Sequence, residues 1–200
     1  MVMLSIHNNY YSLVAQQGMM QAQSALGQAI ERLSSGKRIN SAKDDPAGFA
    51  IANRMGAQIR GLQQASRNAN DGISVAQTAE GALNEINYNV QRIRELTVQA
   101  LSDSYNDKDR TSIQNEITQR LEEIDRIAKQ THFNGKSLLA ADATDMLIQV
   151  GANDGNTIAI QLRAMDLTAL GLDGFTVAGE TATASPLATL DKALERIDGF

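Results

Sequence analysis

Asp44 and Asp45 are adjacent carboxylates, the side-chain type that often supplies general acids and bases in enzymes. Such catalysis requires a cleft and a partner group at a defined distance, and the surrounding sequence indicates neither. Pro46 follows directly. Proline is favoured at the first position of a helix, and aspartate accepts hydrogen bonds from the free N–H groups there. The three residues therefore predict a capped helix start rather than a catalytic site.

Residue spacing does not support a metal or phosphate site. His7 and His132 are the two histidines, they stand in unrelated contexts, and the chain has no cysteine. Asn153–Gly155 resembles part of a calcium loop but lacks the spaced acidic ligands and the closing glutamate. Gly151 and Gly155 are not followed by the Lys-Ser/Thr pair of a phosphate-binding loop. We therefore expect no metal, no cofactor and no enzymatic activity, and we interpret this glycine-rich segment as a hairpin turn.

Charge and composition exclude further classes of function. The net charge is −5 and no basic block is present, which argues against a nucleic-acid partner. Residues 1–30 contain no Asp, Glu, Lys or Arg, but glutamines interrupt their apolar residues. No segment therefore reaches the ~20 apolar residues that span a membrane. The basic start and continuous apolar stretch of a general secretory signal are also missing.

The pattern of apolar residues predicts long helices. With 4% aromatic residues and two prolines, the chain is suited to helices that pack through small and aliphatic side chains. The first helix carries a coiled-coil seam and ends at Gly36, and residues 37–43 are predicted to be a linker. The second runs from Pro46 to about Ala100, roughly 80 Å at about 1.5 Å per residue, with a kink at Asn70–Gly72 as the alternative. The seam residues of the first helix are Met19, Ala22, Leu26, Ala29 or Ile30, and Leu33.

The second helix contains five glycines, each of which costs about 1 kcal/mol relative to alanine in a helix interior. We expect these small residues to let partner helices approach closely. They are Gly48, Gly56, Gly61, Gly72 and Gly81.

The remaining elements complete the predicted fold. A short polar connection at residues 102–109 leads into a third helix, which favours an antiparallel pair. Alternating apolar residues then predict a β-hairpin at about residues 145–163. Ser185 and Pro186 start another helix. Its apolar stripe has only begun when the sequence ends at Phe200, and we therefore expect the chain to be a fragment. The predicted fold is mainly α, a long-helix coiled-coil bundle with a β-hairpin. Its predicted core residues are Ile59, Leu62, Ile73, Leu83, Ile86, Val90, Ile117, Leu121 and Ile124.

Two stretches of sequence carry a resemblance to a known family. Residues 31–54 read ERLSSGKRINSAKDDPAGFAIANR, and residues 64–81 read QASRNANDGISVAQTAEG. Both resemble the N-terminal core of bacterial flagellins, the subunits of the flagellar filament. The resemblance continues through residues 82–87, 92–96, 119–126, 130–135 and 148–155, and it covers about residues 25–175.

The resemblance implies a structural subunit that polymerises with other flagellin subunits into an extracellular filament. It further implies secretion through the flagellar export apparatus and assembly under the filament cap. The implied segments are a helical segment and linker at residues 1–43, disordered in the monomer, a helical bundle with the hairpin at 44–178, and a linker with the start of a C-terminal helix at 179–200. A hook–filament junction protein and a non-flagellar coiled-coil adaptor are the alternatives.

A face of alternating charge crosses the second and third helices, a pattern typical of a solvated surface with pairs worth ~0.2–0.5 kcal/mol each. Its charged residues are Arg92, Arg94, Glu95, Glu116, Arg120, Glu122 and Glu123. The resemblance implies that this region packs against neighbouring subunits and, in many members, binds a Toll-like innate immune receptor. Leu96 follows Arg92 by one helical turn, so we expect it to be an apolar anchor beside charged groups. The candidate contact residues are Gln91, Arg92, Leu96, Gln99, Ile113, Glu116 and Arg120.

Overall fold

The computed structural model describes residues 10–179 and 182–200. Its helices are α1 (Tyr10–Ser35), α2 (Pro46–Ala100), α3 (Asp107–Gln130), α4 (Leu167–Leu170) and α5 (Pro186–Asp198). Its strands are β1 (His132–Phe133), β2 (Lys136–Ser137), β3 (Met146–Gln149) and β4 (Thr157–Ile160). The chain divides into two compact units, Met1–Arg60 and Gly61–Phe200, with the boundary inside α2. The predicted mainly α fold with long helices and a β-hairpin is confirmed.

In the first unit, α1 is a 26-residue helix without a buried residue. It ends at Ser35, and the next residue, Gly36, has a φ of 66°, the left-handed conformation that glycine adopts readily just after a helix. The predicted seam of α1 is an exposed apolar stripe, in which Met19, Leu26 and Leu33 are 67%, 61% and 84% exposed. Residues 1–9 of the predicted N-terminal segment, with His7, lie outside the described residues.

The carboxylates of Asp44 and Asp45 both hold the chain that leads into α2. Asp45 Oδ1 accepts the backbone N–H of Gly48 at 2.9 Å, which confirms the predicted helix cap. Asp44 Oδ2 instead accepts the backbone N–H groups of Asn40 and Ser41, each at 3.1 Å. Both carboxylates are therefore occupied by the backbone around them.

In the second unit, α2 and α3 pack antiparallel, as the short connection between them predicts. Arg92 on α2 contacts Glu116 on α3, and Asn89 contacts Arg120, so residue numbers rise along α3 as they fall along α2. The helix α2 continues without interruption through Asn70–Gly72, as the first of the two alternatives predicted.

The core of the second unit contains side chains from α2, α3 and α5. Five of the predicted core residues are buried, namely Ile86, Val90, Ile117, Leu121 and Ile124. Leu83 is half-buried and packs against that core. The prediction is wrong for Ile59, Leu62 and Ile73, which are 55%, 50% and 55% exposed.

The lengths of the helices explain why Leu62 and Ile73 lie outside the core. With 24 residues, α3 is less than half as long as the 55-residue α2, so it cannot cover the whole of α2. The buried positions in this part of α2 are mostly small: Ala65, Gly72, Val75 and Ala79. Ile73 is one residue beyond Gly72, about 100° further around the helix, and it lines an open apolar depression beside Ile148 and Ile158, so that more than half of it stays exposed.

Two glycines of α2 mark close approaches of the β-hairpin. A Cβ at Gly61 would lie 2.9 Å from the Cβ of Ala152, and one at Gly72 would lie 3.3 Å from Cγ1 of Ile148. These glycines accommodate a hairpin, which corrects the expectation of a partner helix. A Cβ at Gly81 would meet no atom within 4 Å, so close approach does not explain the glycine there.

The part of the chain that the structure describes contains two antiparallel hairpins. Strands β3 and β4 form the predicted one, with Met146 opposite Ile160, and Asn68 Nδ2 of α2 donates to a carbonyl of β3 at 3.0 Å. The second hairpin joins the two-residue strands β1 and β2 and was not predicted from the sequence. Its turn places Asn134 and Gly135 at φ values of 48° and 77°, the positive values that a tight hairpin turn requires.

The helix α5 begins after Ser185 at Pro186, as predicted, and buries Leu190, Ala193 and Ile197. These three residues follow each other at steps of three and four, so a single face of α5 joins the core. Within the described residues, the longest apolar stretches of helix fall short of what crossing a membrane would require.

Candidate interaction face on the second and third helices

Arg92 links α2 to α3 at the centre of the predicted charged face. Its Nη2 and Nε lie 3.2 Å and 3.3 Å from Oε1 of Glu116 on α3, and its Nη1 lies 3.0 Å from Oε2 of Glu95 on α2. Hydrogen bonds to Glu95 and then to Glu116 raise the pKa of Arg92. The guanidinium and carboxylate side chains of Arg92 and Glu116 are each 39% exposed, so this ion pair is open to solvent and to a partner.

Arg120 of α3 lies next to this pair and is held by a buried amide. Its Nη1 donates to Oδ1 of Asn89 at 3.3 Å, and Nδ2 of Asn89 donates to the carbonyl of Glu85 at 2.9 Å. Asn89 is only 3% exposed. A buried amide with both ends hydrogen-bonded has a fixed orientation, and it therefore positions the guanidinium of Arg120 at the surface.

Gln91 and Gln99 are exposed polar residues of the same helix. The Nε2 of Gln99 donates to the hydroxyl of Tyr105 at 3.1 Å, in the connection between α2 and α3. Gln91 donates to the side chain of Asn87, one turn earlier on α2. Both glutamines remain accessible to a protein partner.

Leu96 and Ile113 are core residues rather than surface anchors. They are 3% and 8% exposed and belong to the hydrophobic core of the second unit. This burial corrects the expectation that Leu96 offers an apolar contact beside Arg92. Arg92 and Leu96 are four positions apart on α2, which is a rotation of about 40° around the helix. That rotation places Arg92 at the edge of the α2–α3 seam and Leu96 inside it.

Tyr88 is the aromatic residue of this face, and it was not among the residues predicted from the sequence. It is 62% exposed and lines a depression of about 300 Å³ together with Gln91, Arg92, Glu95 and Arg120. The signal was present in the sequence, because Tyr88 precedes Arg92 by one helical turn. Tyrosines and arginines are enriched among the residues that dominate protein–protein binding.

The other charged residues of the predicted face lie apart from this depression. Arg94 turns to α5, where its Nε lies 2.8 Å from Oδ1 of Asp191. Glu123 pairs with Arg126 one turn along α3, and the hydrogen bond to that guanidinium lowers the pKa of Glu123. Glu122 is exposed. We therefore define the charged face by six residues, Tyr88, Gln91, Arg92, Glu95, Glu116 and Arg120.

The charged face offers ion pairs and hydrogen bonds to a partner, with an aromatic side chain between them. Across residues 10–179 and 182–200, no group of three or more His, Asp or Glu side chains is placed to hold a metal ion. The chemistry of the charged face is that of a surface for protein contacts, since such contacts use charge-assisted hydrogen bonds and aromatic rings.

Comparison with known proteins identifies the family. Residues 6–144 match the model described as the bacterial flagellin N-terminal helical region. The Phase 1 flagellin of Salmonella naestved is 58% identical over 196 residues, which cover 98% of this chain and 39% of that relative. The chain thus spans about two fifths of the length of the curated relatives it matches.

Solved structures agree in fold. The crystal structure of Bacillus cereus flagellin superposes with a TM-score of 0.58 at 30% identity, over 66% of this chain and 77% of that one. A putative flagellar hook-associated protein from Vibrio parahaemolyticus gives a TM-score of 0.58 at 16% identity, over 79% and 82%, a likeness of fold alone. With the family model covering well over half of its residues, this chain belongs to the bacterial flagellins, through their N-terminal helical region.

Proposed function

We propose that this chain is a structural subunit of the bacterial flagellar filament, that it polymerises with other flagellin subunits, and that it is not an enzyme. The observation that carries the proposal is the state of α1, a 26-residue helix with no buried residue. An isolated helix is marginal in water because most helical stability in proteins comes from packing an apolar face. The apolar stripe of α1 therefore requires a partner surface. Because the chain belongs to the flagellins, we infer that other flagellin subunits supply that surface.

Large apolar side chains are exposed along the whole length of α1. They include Leu13, Met20, Leu26, Ile30 and Leu33, which are 58% or more exposed. Contiguous apolar surfaces of this kind mark sites of protein association. In the proposed mechanism, packing α1 between neighbouring subunits removes this surface from water and drives assembly.

The charged face is the proposed contact surface of the second unit. In the filament, Gln91, Arg92, Glu116 and Arg120 of this face contact neighbouring subunits, and so does Gln99 further along α2. Leu96 and Ile113 support the face from beneath through their place in the core. The same exposed groups are the proposed binding site for a Toll-like receptor, with Tyr88 as an additional contact.

The flagellar setting of the subunit completes the proposal. The chain leaves the cell through the flagellar export apparatus and joins the extracellular filament beneath the cap. We retain the proposed segments, an inner helical segment with its linker at residues 1–43, a helical bundle with the hairpin at 44–178, and a linker with a further helix at 179–200. In this proposal, the inner segment is disordered in the monomer, because no burial of apolar surface compensates for the entropy that its backbone would lose on ordering.

Co-sedimentation with growing filaments tests the function. Sheared filaments and monomers of the Salmonella naestved flagellin are mixed with the purified 200-residue chain and centrifuged. The chain should enter the pellet in proportion to filament growth. Leu33→Asp should abolish this, whereas Gln28→Asp, the same added charge on the same helix, should not. A chain that stays in the supernatant with filaments present would refute the proposed function.

A further inference from the structure

Two adjacent methionines of α1 have their side chains open to solvent. Met19 and Met20 are 67% and 63% exposed. Met165, by contrast, is 3% exposed and belongs to the core of the second unit. Small reagents in solution therefore reach the sulfur atoms of Met19 and Met20 equally well, and that of Met165 far less.

The two methionines occupy different faces of α1. Leu26 and Leu33 follow Met19 at steps of seven residues, each about 20° short of two full turns, so these three side chains lie in one row. Ile30 falls in the same row, about 20° past three full turns from Met19. Met20 is turned about 100° away from it. Met19 is therefore part of the apolar stripe of α1, and Met20 lies beside that stripe.

The neighbours of Met20 on the helix surface are polar on both of its sides. At three and four positions from it stand Gln16, Gln17, Gln23 and Ser24. Glutamine amides and serine hydroxyls donate hydrogen bonds. An oxygen atom bound to the sulfur of Met20 would therefore have donors next to it on the same helix, whatever covers the helix.

Met19 has such donors on one side only. Gln16 and Gln23 lie between it and Met20 around the helix, whereas Ala15 and Ala22 border it on the other side. The apolar side chains of its row have no donor to offer. An oxygen atom on the sulfur of Met19 would therefore face apolar groups wherever the stripe is packed against a partner.

Hydroperoxides perform this addition of oxygen to a methionine side chain. The sulfur lone pair attacks one oxygen of the peroxide, the O–O bond breaks, and that oxygen is transferred to the sulfur while the rest leaves as water or an alcohol. The sulfur loses two electrons, the peroxide gains them, and the side chain keeps all its protons. The product is a sulfoxide, which is polar where the thioether was apolar and flexible.

A sulfoxide at Met19 opposes the packing of α1. In the proposed mechanism of assembly, other subunits cover the apolar stripe and remove it from water. A polar group that loses water without gaining a hydrogen bond raises the free energy of the packed state. Oxidation of Met19 therefore favours the free subunit over the assembled one, whereas the donors around Met20 offset this effect there.

We propose that Met19 is an oxidative modification site, at which a hydroperoxide converts the thioether to a sulfoxide and thereby excludes the subunit from the filament. Met20 is oxidised as readily but with little effect on assembly. Packing of α1 covers Met19, so the modification acts on free subunits and not on assembled ones. This inference rests on the proposed function, since it requires other subunits to cover the stripe of α1.

A sorting experiment in one tube tests the inference. The 200-residue chain is treated briefly with hydrogen peroxide, so that most molecules carry at most one sulfoxide, and catalase then removes the peroxide. The mixture is added to growing Salmonella naestved filaments and centrifuged. Tandem mass spectrometry measures the fraction of sulfoxide at each methionine of this chain, separately for the pellet and the supernatant.

The sulfoxide fraction at Met19 should be about tenfold lower in the pellet than in the supernatant, as expected for the burial of an unpaired polar group. The fraction at Met20 should be the same in both. Met20 is a matched control, because it is the next residue of the same helix, has nearly the same exposure and receives the same oxygen atom. An effect of the sulfoxide on the helix itself would act at both positions.

Two variants and a rescue tie the exclusion to the Met19 sulfur. The pelleted fraction of each variant is compared with and without the same peroxide treatment. Peroxide should not lower that fraction for Met19→Leu, and it should lower it for Met20→Leu as much as for the unmodified chain. Reduction of the excluded chains by the two methionine sulfoxide reductases, one for each epimer, should return them to the pellet in a second round.

The outcomes separate the two proposals. A pellet that contains the chain with as much Met19 sulfoxide as the supernatant overturns the inference and leaves the proposed function standing. Equal depletion of the sulfoxides at Met19 and Met20 also overturns it, because the stripe would then not be the cause. So does exclusion that persists after complete reduction. A pellet without the chain, oxidised or not, overturns the proposed function and the inference with it.

Discussion

Arg92 of α2 lies 3.2 Å from Glu116 of α3, with Nη2 of the guanidinium facing Oε1 of the carboxylate. The pair joins residues 24 positions apart and lies at the solvent edge of the α2–α3 seam. Exposed ion pairs contribute little to stability because water and salt screen them. The pair is therefore better suited to recognition of a partner than to holding the two helices together.

Arg92→Ala is expected to weaken binding of a Toll-like receptor ectodomain at least about fivefold, which corresponds to the ~1 kcal/mol that only a minority of interface residues exceed. The reason is that the substitution removes both the guanidinium and the group that orients Glu116. Surface plasmon resonance measures the affinity. A melting curve of the same variant should change little, because the pair is solvent-exposed.

Arg94→Ala is the matched control for that experiment. It removes the same charge from the same helix, but Arg94 pairs with Asp191 on α5 instead of with α3. Its affinity for the receptor should equal that of the unmodified chain. If Arg92→Ala and Glu116→Ala also bind with unchanged affinity, the charged face has no part in receptor binding.

Ile86→Ala is expected to lower the free energy of unfolding by about 2–5 kcal/mol, the usual cost of truncating a buried isoleucine. Ile86 is fully buried in the core. Ile73→Ala on the same helix removes the same atoms from a side chain that is 55% exposed and should cost far less. Urea unfolding followed by circular dichroism compares them. Equal losses would show that Ile73 is a core residue after all.

Gly72→Leu is expected to destabilise the second unit by about 1–3 kcal/mol, the usual cost of overpacking. Even a Cβ at Gly72 would lie within 3.6 Å of both Ile148 and Ile160 of the β-hairpin. Gly81→Leu is the control, because the space beside Gly81 is open, and replacing a glycine in a helix is favourable. Thermal denaturation compares the melting temperatures of both variants. A Gly72→Leu chain as stable as the unmodified one would contradict the close approach of the β-hairpin to Gly72.

Asp44 is expected to stay ionised below its usual pKa of 3.8, because it accepts the backbone N–H groups of Asn40 and Ser41. A lowered pKa in the folded chain means that the contribution of Asp44 to stability is complete above the unfolded value and is lost as the pH falls through the folded one. The amide NMR shifts of Asn40 and Ser41 should therefore titrate below pH 3.8 and lose this titration in Asp44→Asn. An inflection at or above 3.8 would contradict the structure.

The sequence predicted the elements of this fold better than it predicted their partners. Apolar periodicity located α2, α3 and the β3–β4 hairpin, because the spacing of apolar residues directly reflects the geometry of a helix or strand. Periodicity does not show which part of a long helix has a neighbour. Leu62 and Ile73 follow the same rhythm as Ile86, yet the shorter α3 leaves them exposed.

The candidate site was predicted in part for a related reason. Arg92 and Glu116 were expected to lie together, and they do. Leu96 was expected beside them at the surface, but a rotation of about 40° between positions i and i+4 places it inside the seam. Tyr88 was missed although it stands one turn before Arg92. Such details depend on the position of α3, which spacing within α2 alone does not define.

We expect assembly to cover the apolar stripe of α1. Hydrogen–deuterium exchange of residues 10–35 tests it most directly, measured on the dilute chain and on the same chain pelleted with Salmonella naestved filaments. Exchange should be rapid in the dilute chain, because α1 has no buried residue, and residues 10–35 should be strongly protected in the pellet. Equally slow exchange in both samples, or rapid exchange of α1 in a pellet that contains the chain, would contradict it.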